Sequence, residues 1–183
     1  MKKTIRWRRL DLPGHDSARL ERSYGEWELV GSAVFTYEDR LYHLFYNVAC
    51  DDAWRTTGAR IAGRIGDEAI EITLEADGAG RWRLNGQECP QVEGCVDVDL
   101  NFSPSTNLLP IRRLRLEVGE SAEVRAAWLR FPGFELETLE QRYTRTSEHG
   151  YRYESNGGAF VRDLTVNEAG FVTSYPGLFE AEG

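Results

Sequence analysis

"LYHLFYNVAC", residues 41–50, changes side-chain character at every step. Tyr42, Leu44, Tyr46, Val48 and Cys50 fall on one side of an extended chain, and Leu41, His43, Phe45 and Asn47 on the other. Successive side chains of a strand point to opposite faces, so this period of two predicts a β-strand with one buried face. The rhythm recurs along the chain. Ile70, Ile72 and Leu74 alternate with Glu71, Thr73 and Glu75, and Val96, Val98, Leu100 and Phe102 form another apolar row. "TIRWRRL", "ARLERS", "EWELVGSAVFTY", "WRTTGARIAGRI", "RWRLNG", "RRLRLEV", "EVRAAWLRF", "FELETLEQRYTR", "YRYES", "FVRDLTVN" and "FVTSYP" are further strand candidates. Between them stand "EDR", "CDDAW", "IGDEA", "ADGAG", "RTSEHG" and "NEAG", which are turn chemistry.

Helical spacing is almost absent. "LETLEQRY" also reads as one helical piece, because Leu136, Leu139 and Tyr143 fit a helical face. "TNLLPIRRL" is expected to hold one short turn of helix, limited by Pro110. The expected fold class is therefore mainly β with little helix, as one domain over residues 1–183. Hairpins in series make a single long, twisted antiparallel sheet. It must curl to cover its apolar face, as a roll or open barrel. A faint internal likeness fits either two halves built alike or chance among many hairpins. "ITLEADGAGRWRLNG" (72–86) and "LTVNEAGFVTSYPG" (164–177) both run strand, acidic turn, Gly, aromatic strand, Gly.

The totals exclude several classes of function. A chain of 183 residues suits one domain with a sizeable core. A net charge of -8 repels nucleic acid and anionic membrane. The exception is the start, where Lys2, Lys3, Arg6, Arg8 and Arg9 interleave with Ile5 and Trp7. This pattern suits an edge strand with a solvated basic face, or a patch meeting lipid head groups. No apolar run of signal-peptide or transmembrane length is present. Cys50, Cys89 and Cys95 are few and odd in number, which points to free thiols and a cytoplasmic location.

The stretch "GCVDVDLNFSPSTNLLPIRR" (94–113) holds the first candidate for chemistry. On a strand, Asp97 and Asp99 share the face opposite Val96, Val98 and Leu100, about 7 Å apart. That separation lies within the roughly 6.5–9.5 Å of carboxyl pairs in inverting glycosidases. A solvated strand face explains the pair as well, although like charges on neighbouring rungs repel. Arg112 and Arg113 follow closely enough to offset them. In "CDDAWRTTGARI" (50–61), Asp51 and Asp52 make a turn, and Trp54 and Arg55 open the next strand. Trp offers a flat platform for a sugar face, and Arg a planar fork for oxygen acceptors. A core Trp beside an Arg paired with a turn Asp is the plainer alternative. Metal binding and cofactors are not expected. The cysteines lack zinc spacing, and His15, His43 and His149 are scattered. There is no G-x-S-x-G and no phosphate-binding Gly loop, and "HDS" at 15–17 reads as a polar turn.

Taken together, "LDLPGHDSARLE", "WELVGSAVF", "YNVACDDAWRT", the 94–113 stretch, "AAWLRFPGFELETLEQRY" and "YRYES" resemble a bacterial family labelled "putative glycolipid-binding". The likeness runs from Trp7 to Pro176 with the motifs in order. It implies a spiral β-roll and a glycolipid as partner, and it supplies no catalytic residues. The resulting expectation is noncatalytic binding of an amphipathic ligand. An acyl chain would lie in a groove of the curled sheet. Trp54, Arg55, Asp97, Asp99, Asn107, Arg112 and Arg113 would hold its polar head. Two alternatives stand beside it: a glycan or lipid hydrolase using Asp97 and Asp99, and a protein-interaction module with an exposed apolar patch.

Overall fold

A computed structural model describes residues 3–23 and 25–183. Lys2 of the basic cluster lies outside the described residues. The first half is a meander of β1 (Lys3–Arg9), β2 (Gly14–Ser23), β3 (Glu26–Tyr37), β4 (Arg40–Cys50), β5 (Thr56–Ile65), β6 (Glu68–Ala76), β7 (Trp82–Leu84) and β8 (Gln87–Glu88). A crossing segment with a 3-10 turn at Pro90–Val92 leads to β9 (Asp97–Leu100). A second 3-10 turn, Pro104–Asn107, runs directly into the helix α1 (Leu108–Leu114). The chain then meanders through β10 (Ser121–Arg130), β11 (Glu135–Arg145), β12 (Gly150–Ser155), β13 (Phe160–Val166), β14 (Val172–Tyr175) and β15 (Phe179–Ala181).

All these strands form one sheet, in the order β8 to β1, then β15 down to β9. The chain therefore starts mid-sheet, runs to one edge, crosses to the far edge and returns. β1 and β15 meet in the middle, with Trp7 opposite Ala181. The run β3 to β8 and the run β10 to β15 cross the sheet in the same sense, so 72–86 and 164–177 occupy corresponding hairpins, β6–β7 and β13–β14. The sheet curls without closing. One pairing departs from the antiparallel expectation: β9 lies parallel to β10, with Asp97 opposite Ala126. A parallel neighbour needs a crossover, and the 3-10 turn and α1 supply it.

The alternation in β4 is realised. Tyr42, Leu44, Tyr46, Val48 and Cys50 are buried, while Leu41, His43, Phe45 and Asn47 are exposed. Trp7 is wholly buried and donates its indole N–H to the Val172 carbonyl at 2.6 Å, tying the central strand to the second half. Leu108 and Leu109 reach zero exposure, so the helical insert is packed into the roll as core.

Several local expectations are corrected. "LETLEQRY" is part of β11, bonded on both sides by β10 and β12. Leu139, Gln141 and Tyr143 alternate inward as a strand requires. Leu136 is out of step because the crossing segment covers it, and Gln91 donates its side-chain amide to the Leu136 carbonyl at 3.0 Å. "RRLRLEV" is not a strand. Its first three residues close α1, and Arg115 caps it with a left-handed φ of 49°. Pro110 fits α1 because it occupies the first turn, where an N–H has no helical acceptor. β1 is a central strand rather than an edge. Arg9 is buried, stacked 4.4 Å over Phe35 and paired with Asp11 at 2.8 Å. Arg6 remains exposed and pairs with Glu182 at 3.2 Å. "HDS" belongs to β2, with Asp16 buried.

Candidate functional site

Three hairpin ends share one five-residue turn. In 51–55 (DDAWR), the Asp51 Oδ1 accepts the Ala53 and Arg55 amides, each at 2.9 Å. In 77–81 (DGAGR), Asp77 accepts from Ala79 at 2.9 Å and Arg81 at 3.0 Å. In 167–171 (NEAGF), Asn167 accepts from Ala169 at 3.0 Å and Phe171 at 3.1 Å. In each, the first residue's amide also donates to the fifth residue's carbonyl. A side chain that mimics a backbone turn in this way needs a short carboxylate or amide at the first position. It also turns the fourth residue left-handed. That residue is Gly80 (φ 93°) in one copy, Gly170 (φ 92°) in another, and Trp54 (φ 64°) in the third. A bulky residue is seldom found in that conformation.

Trp54 thus remains in the turn, and β5 begins only at Thr56. Its ring is 6% exposed. It stacks on Trp27 at 4.9 Å and 20°, and the Arg112 guanidinium lies over it at 5.0 Å from the ring centre. Arg55 turns back to Asp51, Nε to Oδ2 at 2.8 Å. The plainer alternative, a core Trp beside an Arg–Asp pair, describes this turn.

Asp97 is shut off from solvent, and Asp99 is half-buried. The side of β9 that carries them is turned into the second half of the roll, beneath the 104–114 segment. Asp97 is 1% exposed and receives Arg113 Nε at 3.1 Å and Nη2 at 2.6 Å. Burial raises its pKa, and Arg113 opposes that rise. Asp99 accepts the Gln141 amide at 2.6 Å, and burial pushes its pKa up to about 6. Asn107 donates to the Tyr143 hydroxyl at 2.8 Å. The structure therefore joins Trp54 to Arg112 and Asp97 to Arg113. It sends Asp99, Asn107 and Arg55 to separate partners.

A polar cluster missed in the sequence lies elsewhere in the core. Asp16 is bonded by Ser103 and by the Tyr46 hydroxyl at 3.1 Å, and Ser105 lies 2.8 Å from Ser103. Burial raises the pKa of Asp16 to about 7. The inward period of β2 was its one sequence signal, since Asp16 is in step with Ala18 and Leu20.

Of the surface clefts, two stand out, and neither is lined by any of the seven residues chosen from sequence. The larger, about 650 Å³, lies against β6–β8 and the crossing segment. Its buried walls are Trp82 and Cys89, with Ala76 half-buried. Asp77, Arg81, Arg83 and Glu88 line it from exposed positions. The Trp82 indole donates to the Cys95 carbonyl at 2.9 Å, which fixes the ring. The crossing segment reaches both neighbouring turns: the Gly94 amide donates to Gly80, and the Thr56 amide to Val96. The second cleft, about 550 Å³, is lined by Glu123, Arg125, Glu140, Arg142 and Glu154, with Gln141 and Ser155 behind. Among the described residues no cluster of metal-ligand type occurs. No described helix is long and apolar enough to cross a membrane.

No protein with a curated description matches the chain. A crystal structure of a DUF1089 family protein from Pseudomonas aeruginosa is similar, with 35% identity and a TM-score of 0.78. The match covers 90% of this chain and 91% of that one. The sequence profile of the family described as "Putative glycolipid-binding" matches residues 4–181, and the chain belongs to that family.

Proposed function

We propose that this protein is a noncatalytic binder of an amphipathic ligand of the glycolipid class. The cleft at β6–β8 carries the reading. Trp82, Cys89 and Ala76 give it an apolar wall, and Asp77, Arg81, Arg83 and Glu88 give it charged edges. Hydrocarbon needs the first, and sugar hydroxyls need acceptors and planar donors such as the second. Its volume of about 650 Å³ is that of a small-molecule site. The family description points the same way.

The seven residues chosen from sequence take a revised place in this reading. Arg55 and Arg112 stand at the neighbouring turn and α1 as head-group contacts, with Trp54 as the platform under Arg112 and Arg113 as the clasp on Asp97. Asp97, Asp99 and Asn107 hold the frame beneath them through Arg113, Gln141 and Tyr143. Burial of Asp97 supports a structural role for it over the hydrolase alternative. An inverting pair needs room for a water between its carboxyl groups, and Asp97 is 1% exposed and clasped by Arg113. We place the protein in the cytoplasm, consistent with three free, buried cysteines.

Tryptophan fluorescence tests the reading. Octyl glucoside below its micelle concentration should give a saturable change, and glucose alone none. Pro90→Glu, an exposed substitution on the cleft wall, should weaken it at least tenfold. Binding unchanged by Pro90→Glu, or no binding by any alkyl glycoside, overturns the assignment.

A second reading, docking of a protein, draws on the outer face of β3–β4. Leu41 and Phe45 are 55% and 53% exposed there. Phe45→Lys should leave sedimentation unchanged if the ligand reading alone holds.

A further inference from the structure

Arg112 lies between Trp54 and Gly170. Trp54 lies under its guanidinium at 5.0 Å. A Cβ at Gly170 would stand 3.6 Å from its Cγ and Nε, and 3.6 Å from Leu108 Cγ. Its Nε is buried and has no hydrogen-bond partner. The adjacent carboxylate does not serve it, because Asp97 is taken by Arg113 through both oxygens. The next cation along, Arg115, is exposed at the end of α1. Burial, and then repulsion from Arg115, draws the pKa of Arg112 below its ordinary value. Among the described residues no carboxylate forms an ion pair with Arg112 or Arg115. Other described arginines, such as Arg125 and Arg142, also form no ion pair, but the Nε of Arg112 is buried as well as unbonded.

The platform beneath Arg112 is also unusual. In the two sister turns the left-handed position is glycine, and here it is Trp54. The left-handed conformation costs a side chain about 1–2 kcal/mol. Trp27 stacks on the ring, and Arg22 lies 5.7 Å over Trp27, so each of the two stacked indoles carries a cation. Packing alone does not call for this arrangement. A methionine at 112 would fill the same slot without burying an unbonded N–H.

We propose that Arg112, on its Trp54 platform, and Arg115 form an oxyanion subsite. The ligand's head group then carries a phosphate, sulfate or carboxylate. This rests on the glycolipid-type reading above and sharpens it: the ligand is an acidic amphiphile. An anion would supply the countercharge that Arg112 and Arg115 lack, and the fixed ring would hold the guanidinium plane for two-oxygen contact.

The test follows the Arg112 guanidinium by NMR in the native protein during three titrations: octyl glucoside, octyl glucuronide, and inorganic phosphate. The glucuronide should bind at least tenfold more tightly than the glucoside at low salt. That preference should shrink in 0.5 M salt and vanish in Arg112→Gln. Arg115→Gln, at an exposed position, should weaken it several-fold with the fold intact. Equal affinity for the two glycosides, or a preference that survives both substitutions, overturns the subsite even where the amphiphile reading stands. Phosphate moving the Arg112 signal while neither glycoside binds anywhere sustains the subsite as a free-anion site and overturns the glycolipid reading.

Discussion

Arg113 closes on Asp97 through two hydrogen bonds, Nε to Oδ1 at 3.1 Å and Nη2 to Oδ2 at 2.6 Å, with the carboxylate 1% exposed and the arginine side chain 22% exposed. This pair fastens α1 to the parallel strand β9. Its two halves differ in their access to water, and that difference decides what each substitution costs. Arg113→Met leaves a carboxylate stranded in the core, at a cost of about 3–5 kcal/mol. Asp97→Asn leaves an arginine with a path to solvent and an amide oxygen to bond, at about 1–2 kcal/mol. The double variant should recover part of the Arg113→Met loss. Urea denaturation of the three variants checks the order.

Stability should fall as pH rises from about 4 to about 7. Asp16 and Asp99 have folded-state values of about 7 and about 6 against an ordinary 3.8, both raised first by burial. The folded protein therefore holds these protons at pH values where the unfolded chain has released them, and each step of pH above 3.8 favours unfolding until the folded groups also ionise. Asp16→Asn should flatten most of the slope, because Ser103 and Tyr46 still bond an amide oxygen. The observable is the melting temperature at pH 4.5 and pH 7.5, with and without the substitution.

The shared turn makes a paired prediction. Gly170→Ala puts a side chain at φ 92° beside Arg112 and should cost about 1–2 kcal/mol. Trp54→Gly relieves the corresponding position but removes the ring that Trp27 and Arg112 both contact. Loss of a buried aromatic outweighs backbone relief of about 1 kcal/mol, so it should destabilise by about 2 kcal/mol or more. A more stable Trp54→Gly protein would show that the ring contributes nothing there.

The thiols report on the cleft. Burial raises the pKa of Cys50 and of Cys95, which suppresses their thiolates. Cys89 lines the cleft. Native-state alkylation should modify Cys89 first, and a bound amphiphile should slow that step. Peptide mapping after timed iodoacetamide treatment reads both.

Period-two alternation in stretches such as 41–50 was enough to predict the sheet, because most inward positions became core as spaced. Where the chain is buried on both faces, the pattern misleads. β9 reads as half-solvated, yet Asp97 is inside because α1 covers that face. Leu136 mimics a helical period because the crossing segment lies over it. The same cause hid the candidate site. The Trp54–Arg112 contact joins residues that sit far apart in sequence, and only the crossover topology brings them together. The β6–β8 cleft was invisible because its walls come from a hairpin and a connection read as mere turns. The likeness of 72–86 to 164–177 was the one clue that these turns share a design.

Native mass spectrometry of protein purified without detergent, followed by extraction of whatever is bound, tests the central claim most directly. The account predicts an acidic glycolipid at near one per chain, or its uptake from a total bacterial lipid extract when the protein starts empty. A protein that stays empty in both settings contradicts it.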